Sequence, residues 1–387
     1  MMKMRHPLFT LLILSMMTVS FGDKVKNIYT WKFPDFEWLS KKQEEDAIRS
    51  NIYNPSSCVF EDANEAEDGR LFITITNINT RASPVSLTTV TNKTGLGGPI
   101  LRPYPDWSWY NNSYMCDGII NVYRIDIQCN HLFVLDAGKF GTDQICNPKL
   151  LIFNLKDDTL VKTIYIPIDI ATNKTGSGLL IMPLVYIPNG KCTQFLDEMI
   201  VFMADSEGYG LVVYNSFTKS MCRIESDYMK PTDTSFSIAG KNFTYVGGIF
   251  SMTIIDDDLY FAAVSGNKIY KIKIKYLLKC PNEKEANKQT RLVKKLSSQT
   301  IDLTSAGQSI FYSDFRAMSI LRTNVHTICN LNKTEILAQD SEKFQSVSSM
   351  KISSNECQLK CISDRFQHYP TFNTNEINFR YFKIDLC

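Results

Sequence analysis

One short pattern, a strand running into a polar turn, recurs six times along this chain and restricts what it can fold into. Its sharpest copy is HLFVLDAGK, His131 to Lys139. The others are LFITITN ending at Asn77, VFMAD ending at Asp205, YFAAVS ending at Ser265, IFYSD ending at Asp314 and KCISD ending at Asp364. Asp, Asn and Ser at the end of an apolar run accept hydrogen bonds from the backbone of a turn, so each copy reads as a strand entering a turn. The end positions lie 49 to 69 residues apart, the mark of an array of similar units. A second apolar strand follows several copies (KLLIFNL, GLVVYN, KIYKIKI, SILRTNV), and a third precedes several (GIINVYRID, GGIFSMTII, VSSMKIS). Three or four short antiparallel strands in each of six units describe an all-β fold, a six-bladed β-propeller.

The chain opens with a basic MMKMRHP, an apolar LFTLLILSMMTV and a small-residue exit at Ser20-Phe21-Gly22. An apolar run of that length is too short for the roughly 20 residues that cross a bilayer, and suits a cleaved secretory signal. The expected organisation is a signal peptide over 1–22 and a single propeller domain over 23–387. A propeller escapes the usual size limit of one core because each blade packs only on its neighbours. Of 42 basic residues, Lys3 and Arg5 lie in the leader and all 40 acids follow it, so the exported part is balanced. That excludes general recruitment by nucleic acid or an anionic membrane.

All 11 cysteines follow the leader, and in an exported chain disulfides are their default state, with at least one left over. Sequons at Asn92, Asn111, Asn173, Asn242 and Asn332 are expected glycosylation sites. Residues 23–57 read as a leading segment that wraps the propeller and completes a terminal blade, and Glu61 to Gly69, EDANEAEDG, as a solvated loop. The glycines of GLGGPILRPYPDWSWYNNSYMC lack the Lys-Ser/Thr pair of a phosphate loop and read as part of a long inter-blade connection. The lysines of KIYKIKIKYLLK, Lys268 to Lys279, read as the solvated face of a strand, where they discourage edge pairing.

PILRPYPDWSW, CDGIINVYRIDIQCNHLFVLDAGK, CNPKLLIFNLKDDTLVKTIYIP, MADSEGYGLVVYN and the closing INFRYFKIDLC resemble, in order, the major royal jelly and yellow protein family of insects. The resemblance runs from about Trp31 to Cys387. It implies a six-bladed propeller closed by disulfides, with Cys116 paired to Cys146, Cys129 to Cys192 and Cys329 to Cys387. Cys58, Cys222, Cys280, Cys357 and Cys361 lie outside that pattern and their state stays open.

The histidines beyond the leader, His131, His326 and His368, sit in no zinc-binding spacing, no G-x-S-x-G elbow is present, and Asp256-Asp257-Asp258 lacks the spacing of a calcium loop. No cofactor is expected. The resemblance points instead to the central channel, where amine-binding salivary relatives use a hydroxyl, an amide and an aromatic. The matching positions here are Ser349, Asp364 and Phe366, with a carboxylate in place of the amide. Asp364 then either pairs with an ammonium group or, like Asp136, Asp205 and Asp314, caps its strand. The leading functional expectation is a secreted, non-enzymatic protein that binds a small amphipathic ligand, a biogenic amine or a sterol. A small protein partner or self-association is also expected from the resemblance. The alternatives are dopachrome conversion in melanin formation, and a structural or storage role.

Overall fold

A computed structural model describes residues 24–79, 81–110, 116–325, 333–353 and 355–387. The expected signal peptide, Asn111, His326, Cys329 and Asn332 lie outside the described residues. The described strands form six four-stranded antiparallel sheets and two small hairpins. The sheets are blades around one axis. Their innermost strands are Val59–Glu65, Val122–Gln128, Leu180–Tyr186, Ile249–Ile255, Leu303–Ala306 and Ser346–Ile352, which touch one another in a closed ring.

The repeated motif is the second strand of each blade: Leu71–Thr76, His131–Asp136, Ile200–Asp205, Asp258–Ala263, Ser309–Asp314 and Gln358–Asp364. Both of its faces pack on neighbouring blades, which is why it reads as a continuous apolar run and not as an alternation. In blade 3, for example, all six residues of Ile200–Asp205 are buried. The strands further from the axis are progressively exposed, as in Thr159–Tyr165 of blade 2. Packing is divided into several apolar clusters between blades.

The aspartates that end these strands are built into the turns. Asp136 accepts from the backbone N–H groups of Ile120 (3.0 Å), Asn121 (2.9 Å) and Gly138 (3.0 Å). Asp205 accepts from Leu179 and Gly208, and Asp314 from Ala317. Each carboxylate therefore ties its own turn or the approach to its blade.

The chain's start completes its last blade. Val25–Trp31 pairs antiparallel with Phe379–Asp385, so blade 6 takes three strands from the end of the chain and one from its beginning. The glycines after Asn92 serve this closure. A Cβ on Gly97 would lie 2.3 Å from the Phe33 carbonyl, and one on Gly98 2.5 Å from that of Thr30. Pro99–Pro103 beyond them is the outer strand of blade 1, so the expected long loop is shorter than it looked. The Lys268–Lys279 run divides into a strand, Lys268–Lys273, and a helical turn, Ile274–Leu277. That strand is third of four in its blade and pairs outward with Arg291–Lys295, so it is not an edge.

Among the described residues there are four disulfides: Cys116–Cys146, Cys129–Cys192, Cys222–Cys280 and Cys357–Cys387. The second joins blades 2 and 3, and the third joins blades 3 and 4. The expected Cys329–Cys387 bond is corrected: Cys387 is bonded to Cys357. The register explains this, because Gln358 lies opposite Asp385 and the Leu386 N–H donates to the Cys357 carbonyl at 2.9 Å. Cys357 and Cys387 consequently face each other across adjacent strands, 5.1 Å apart at Cα. Cys58 and Cys361 are free thiols, both buried.

Candidate functional site: a divided channel

Six inner strands converging on an axis bring together side chains that are far apart in sequence. At mid-height the channel is filled by Arg124 of blade 2, which is fully buried. Its Nη1 donates to Asp302 Oδ1 of blade 5 at 2.5 Å, and its Nη2 to the carbonyls of Ile301 (3.0 Å) and Ser348 (2.6 Å). The guanidinium also lies 5.0 Å from the ring centre of Phe250 in blade 4. Asp302 in turn accepts from the Ser251 hydroxyl (2.7 Å) and the Met350 N–H (2.6 Å). Beside this bolt, Asp62 of blade 1 accepts from the Ile125 N–H at 2.9 Å and from the Ser349 hydroxyl, with Lys351 Nζ 3.4 Å away. Buried charge is tolerated here because each group meets an opposite charge and several hydrogen bonds.

The sequence-level reading of Glu61 to Gly69 as a solvated loop is corrected by this layer. Val59–Glu65 is the inner strand of blade 1, with both Glu61 and Asp62 buried. Acid-rich sequence ordinarily stays in water. Here the compensating cations, Arg124 and Lys351, come from blades 2 and 6, and no local signal announces them.

Above the Arg124 layer, toward the starting ends of the inner strands, lies a cavity of about 30 Å³. Its walls are predominantly aromatic, including Tyr123, Phe243, Tyr245, Phe250 and Phe366, and Glu61 and Ser346 reach it. Part of the wall is a hairpin outside the six blades, Ser235–Ile238 paired with Lys241–Thr244, which contributes Phe236 and Phe243. Phe366 meets Phe243 and Tyr245 at ring-centre distances of 6.0 and 6.2 Å and stacks on Tyr369 at 5.7 Å.

Glu61 differs from the acids of the layer below. Its Oε1 has no hydrogen-bond partner, the nearest cation being Arg124 Nη2 at 3.5 Å. Burial pushes its carboxyl up to about 8; Arg124 opposes the rise, and Asp364, Asp62 and Asp302 add to it. Asp364 is also buried, and burial pushes its carboxyl up to about 7 against the Ser346 hydroxyl and the Phe366 N–H. That N–H donates to Asp364 Oδ1 at 2.9 Å, so Asp364 ends its strand as the other aspartates do.

Of the three residues expected at the site, Phe366 lines the cavity and Asp364 lies just behind it, capping the turn that carries Phe366. Ser349 is elsewhere: it is buried with its hydroxyl on Asp62, in the lower layer. The hydroxyl at the cavity is that of Ser346, which pairs across the strands with Asp364. The pairing slips at a bulge between Ser346 and Ser349, which brings Ser346 rather than Ser349 to this cavity. His131 Nδ1 is 2.7 Å from the Cys129 carbonyl and its ring packs edge-on against Phe195, away from the channel walls. Among the described residues no group of His, Cys, Asp and Glu converges as metal ligands would.

The family model described as major royal jelly protein matches residues 120–386. Major royal jelly protein 8 of Apis mellifera is 31% identical over 85% of this chain and 80% of its own length. Major royal jelly protein 3 of the same species is 32% identical over 92% of this chain and 68% of its own length. Major royal jelly protein 9 is 31% identical over 91% of this chain and 85% of its own length. Among solved structures, a luciferin-regenerating enzyme aligns with a TM-score of 0.49 at 8% identity, over 85% of this chain and 92% of that one.

Proposed function

The chain belongs to the major royal jelly protein family, and from that premise we propose that it is a secreted, non-enzymatic binding protein that holds a small organic cation, a biogenic amine, in the aromatic cavity of its channel. The observation that carries the proposal is the Glu61 carboxyl, which is buried at that cavity with an oxygen lacking any hydrogen bond. An ammonium group supplies the missing donor and brings a positive charge closer than Arg124 at 3.5 Å. The surrounding rings offer their faces to the same cation, each such contact contributing about 0.5 to 2 kcal/mol.

Volume separates the two expected ligand classes. A cavity of about 30 Å³ holds roughly two water molecules, enough for an ammonium head beside Glu61. The attached ring or chain is accommodated by displacing Phe243 or Phe366 at the mouth. A sterol is larger still, and its hydroxyl can donate one hydrogen bond to a carboxylate but brings no positive charge. Export rests on the leader-like first 22 residues and on four disulfides, which persist in oxidising compartments.

The test is calorimetric titration of the exported protein with serotonin, dopamine, octopamine and histamine, with a sterol as control. Saturable binding of an amine by the native protein and its loss in Glu61→Gln is the expected result. Absence of heat with every amine overturns the proposal. One observation favours a second reading, dopachrome conversion: a carboxyl pushed up to about 8 in a cavity is suited to carrying a proton at neutral pH. Turnover of dopachrome above its spontaneous rate, abolished in Glu61→Gln, would establish that reading instead.

A further inference from the structure

Blades radiating from an axis diverge toward the rim, and the wedge between blades 4 and 5 opens into a groove of about 610 Å³. One wall is the outer strand of blade 4, Arg291–Lys295, with the residues that follow it. The other wall is the face of blade 5 carrying Tyr312, Leu321 and Ile336.

Three cations line this groove, Lys294, Lys295 and Arg316, against one carboxylate, Asp314. Asp314 already accepts from the Ser298 hydroxyl and the Ala317 N–H, so it is committed to its turn. No carboxylate pairs with Lys295 or Arg316 among the described residues, and both are exposed. Burial pulls the Lys294 amine below its ordinary value. A second observation is independent of charge: Ser319 lines the same groove, is 1% exposed, and its Oγ has no hydrogen-bond partner. Leaving a buried hydroxyl unmade costs roughly 1 to 3 kcal/mol, and a ligand oxygen in the groove removes that cost. The floor is apolar, with Leu296, Tyr312 and Leu321 buried and Ile336 45% exposed.

The neighbouring wedge, between blades 3 and 4, carries no such surplus of positive charge. That space is of similar size, about 590 Å³, but its Arg223 bonds Asp205 at 2.8 Å and Glu225 at 2.9 Å. Its remaining acids, Asp169 and Glu283, outnumber the single lysine, Lys174.

We propose that the groove between blades 4 and 5 binds an amphipathic organic anion, with a carboxylate or sulfate head on Lys295, Arg316 and the Ser319 hydroxyl and an apolar body along Leu321 and Ile336. This site is separate from the channel and takes the opposite charge. The two proposals therefore stand or fall independently.

The experiment is isothermal titration of the whole exported protein with dodecanoate and with decyl sulfate below their micellar concentrations, and with decyltrimethylammonium as the cationic control. Saturable one-site binding of at least one anion, weakening with added salt, and no comparable binding of the cation is expected. Lys295→Glu with Arg316→Glu alters two exposed side chains and should weaken the anion about tenfold or more. Ser319→Ala should weaken it about threefold, and Glu61→Gln should leave it unchanged. Unchanged anion affinity in the double variant, equal binding of the cationic amphiphile, or no saturable binding overturns the proposal. Should the double variant fail to fold, Arg316→Gln alone carries the same test.

Discussion

The two halves of the channel contain the same kinds of residue and treat them in opposite ways. In the Arg124 layer each buried charge meets an opposite charge within hydrogen-bond reach or close to it: Arg124 bonds Asp302 and two carbonyls, with its Nε alone left without a hydrogen bond, and Asp62 meets a backbone N–H, a hydroxyl and Lys351. A few ångströms away, Glu61 faces an aromatic cavity with no hydrogen bond to Oε1 and its nearest cation, Arg124 Nη2, held off at 3.5 Å. Fully paired charge inside a protein locks elements together, whereas unpaired charge costs stability and persists where a ligand completes it. The layer joins blades, and in the proposed function a ligand completes the carboxyl at the cavity.

The largest effect that would break this comparison is at Arg124. Arg124→Ala leaves Asp302 buried without its cation and should cost about 3 to 5 kcal/mol, read as a fall in the urea midpoint. A variant as stable as the parent would mean that the layer is not a bolt.

Glu61→Gln sharpens the comparison from the other side. It should lower amine affinity by about tenfold to a hundredfold without loss of stability. The sign of its pH dependence follows from the raised carboxyl. Relative to the unfolded chain, the folded state holds its proton more tightly, so stability is full below about 4.5 and falls as pH rises toward about 8. The glutamine variant escapes that fall, so its melting temperature should exceed the parent's at pH 8.5 and match it more closely at pH 5. In the native protein, amine affinity should increase between pH 6.5 and 8.5, since the ammonium binds the ionised form. A parent and variant that track each other across this range would place Glu61 among the paired acids.

At Asp364 a smaller effect is expected. Asp364→Ala removes the acceptor of the Phe366 N–H and should cost about 1 to 2 kcal/mol, with a loss of affinity that follows from the displaced Phe366 ring. Asp364→Asn retains an acceptor and should recover most of both. If asparagine loses affinity as alanine does, the charge of Asp364 acts on the ligand directly. The two serines give the smallest effects: Ser349→Ala should cost about 1 kcal/mol and leave amine affinity unchanged, and Ser346→Ala should weaken the amine slightly with little change in stability. The reverse pattern would move the site down into the paired layer.

The six strand-and-turn repeats made the propeller legible, and the aromatic two residues beyond the last of them, Phe366, is a wall of the cavity. The acid on which the proposed site rests was hidden, because Glu61 sits in EDANEAEDG, whose composition is that of a solvated turn. Only Arg124 and the closing ring take it out of water. The resemblance pairs Cys387 with Cys329 and puts Ser349 in the channel, whereas strand register pairs Cys387 with Cys357 and a bulge places Ser346, not Ser349, at the cavity, features that no single strand carries. The anion groove was equally invisible, since its cations lie on two blades and its unpartnered hydroxyl on a third strand of one of them.

By itself the sequence determined the local elements of this protein, which are strands that run apolar into capping aspartates, repeated six times. Those follow from side-chain hydrogen bonding and burial within a few residues of each other. Which charges are paired and which are left facing a cavity was decided only when the first strand, Val25–Trp31, met the last, Phe379–Asp385, and closed the ring. Pairing across a channel depends on distances between residues up to hundreds of positions apart, and those distances exist only in the folded molecule.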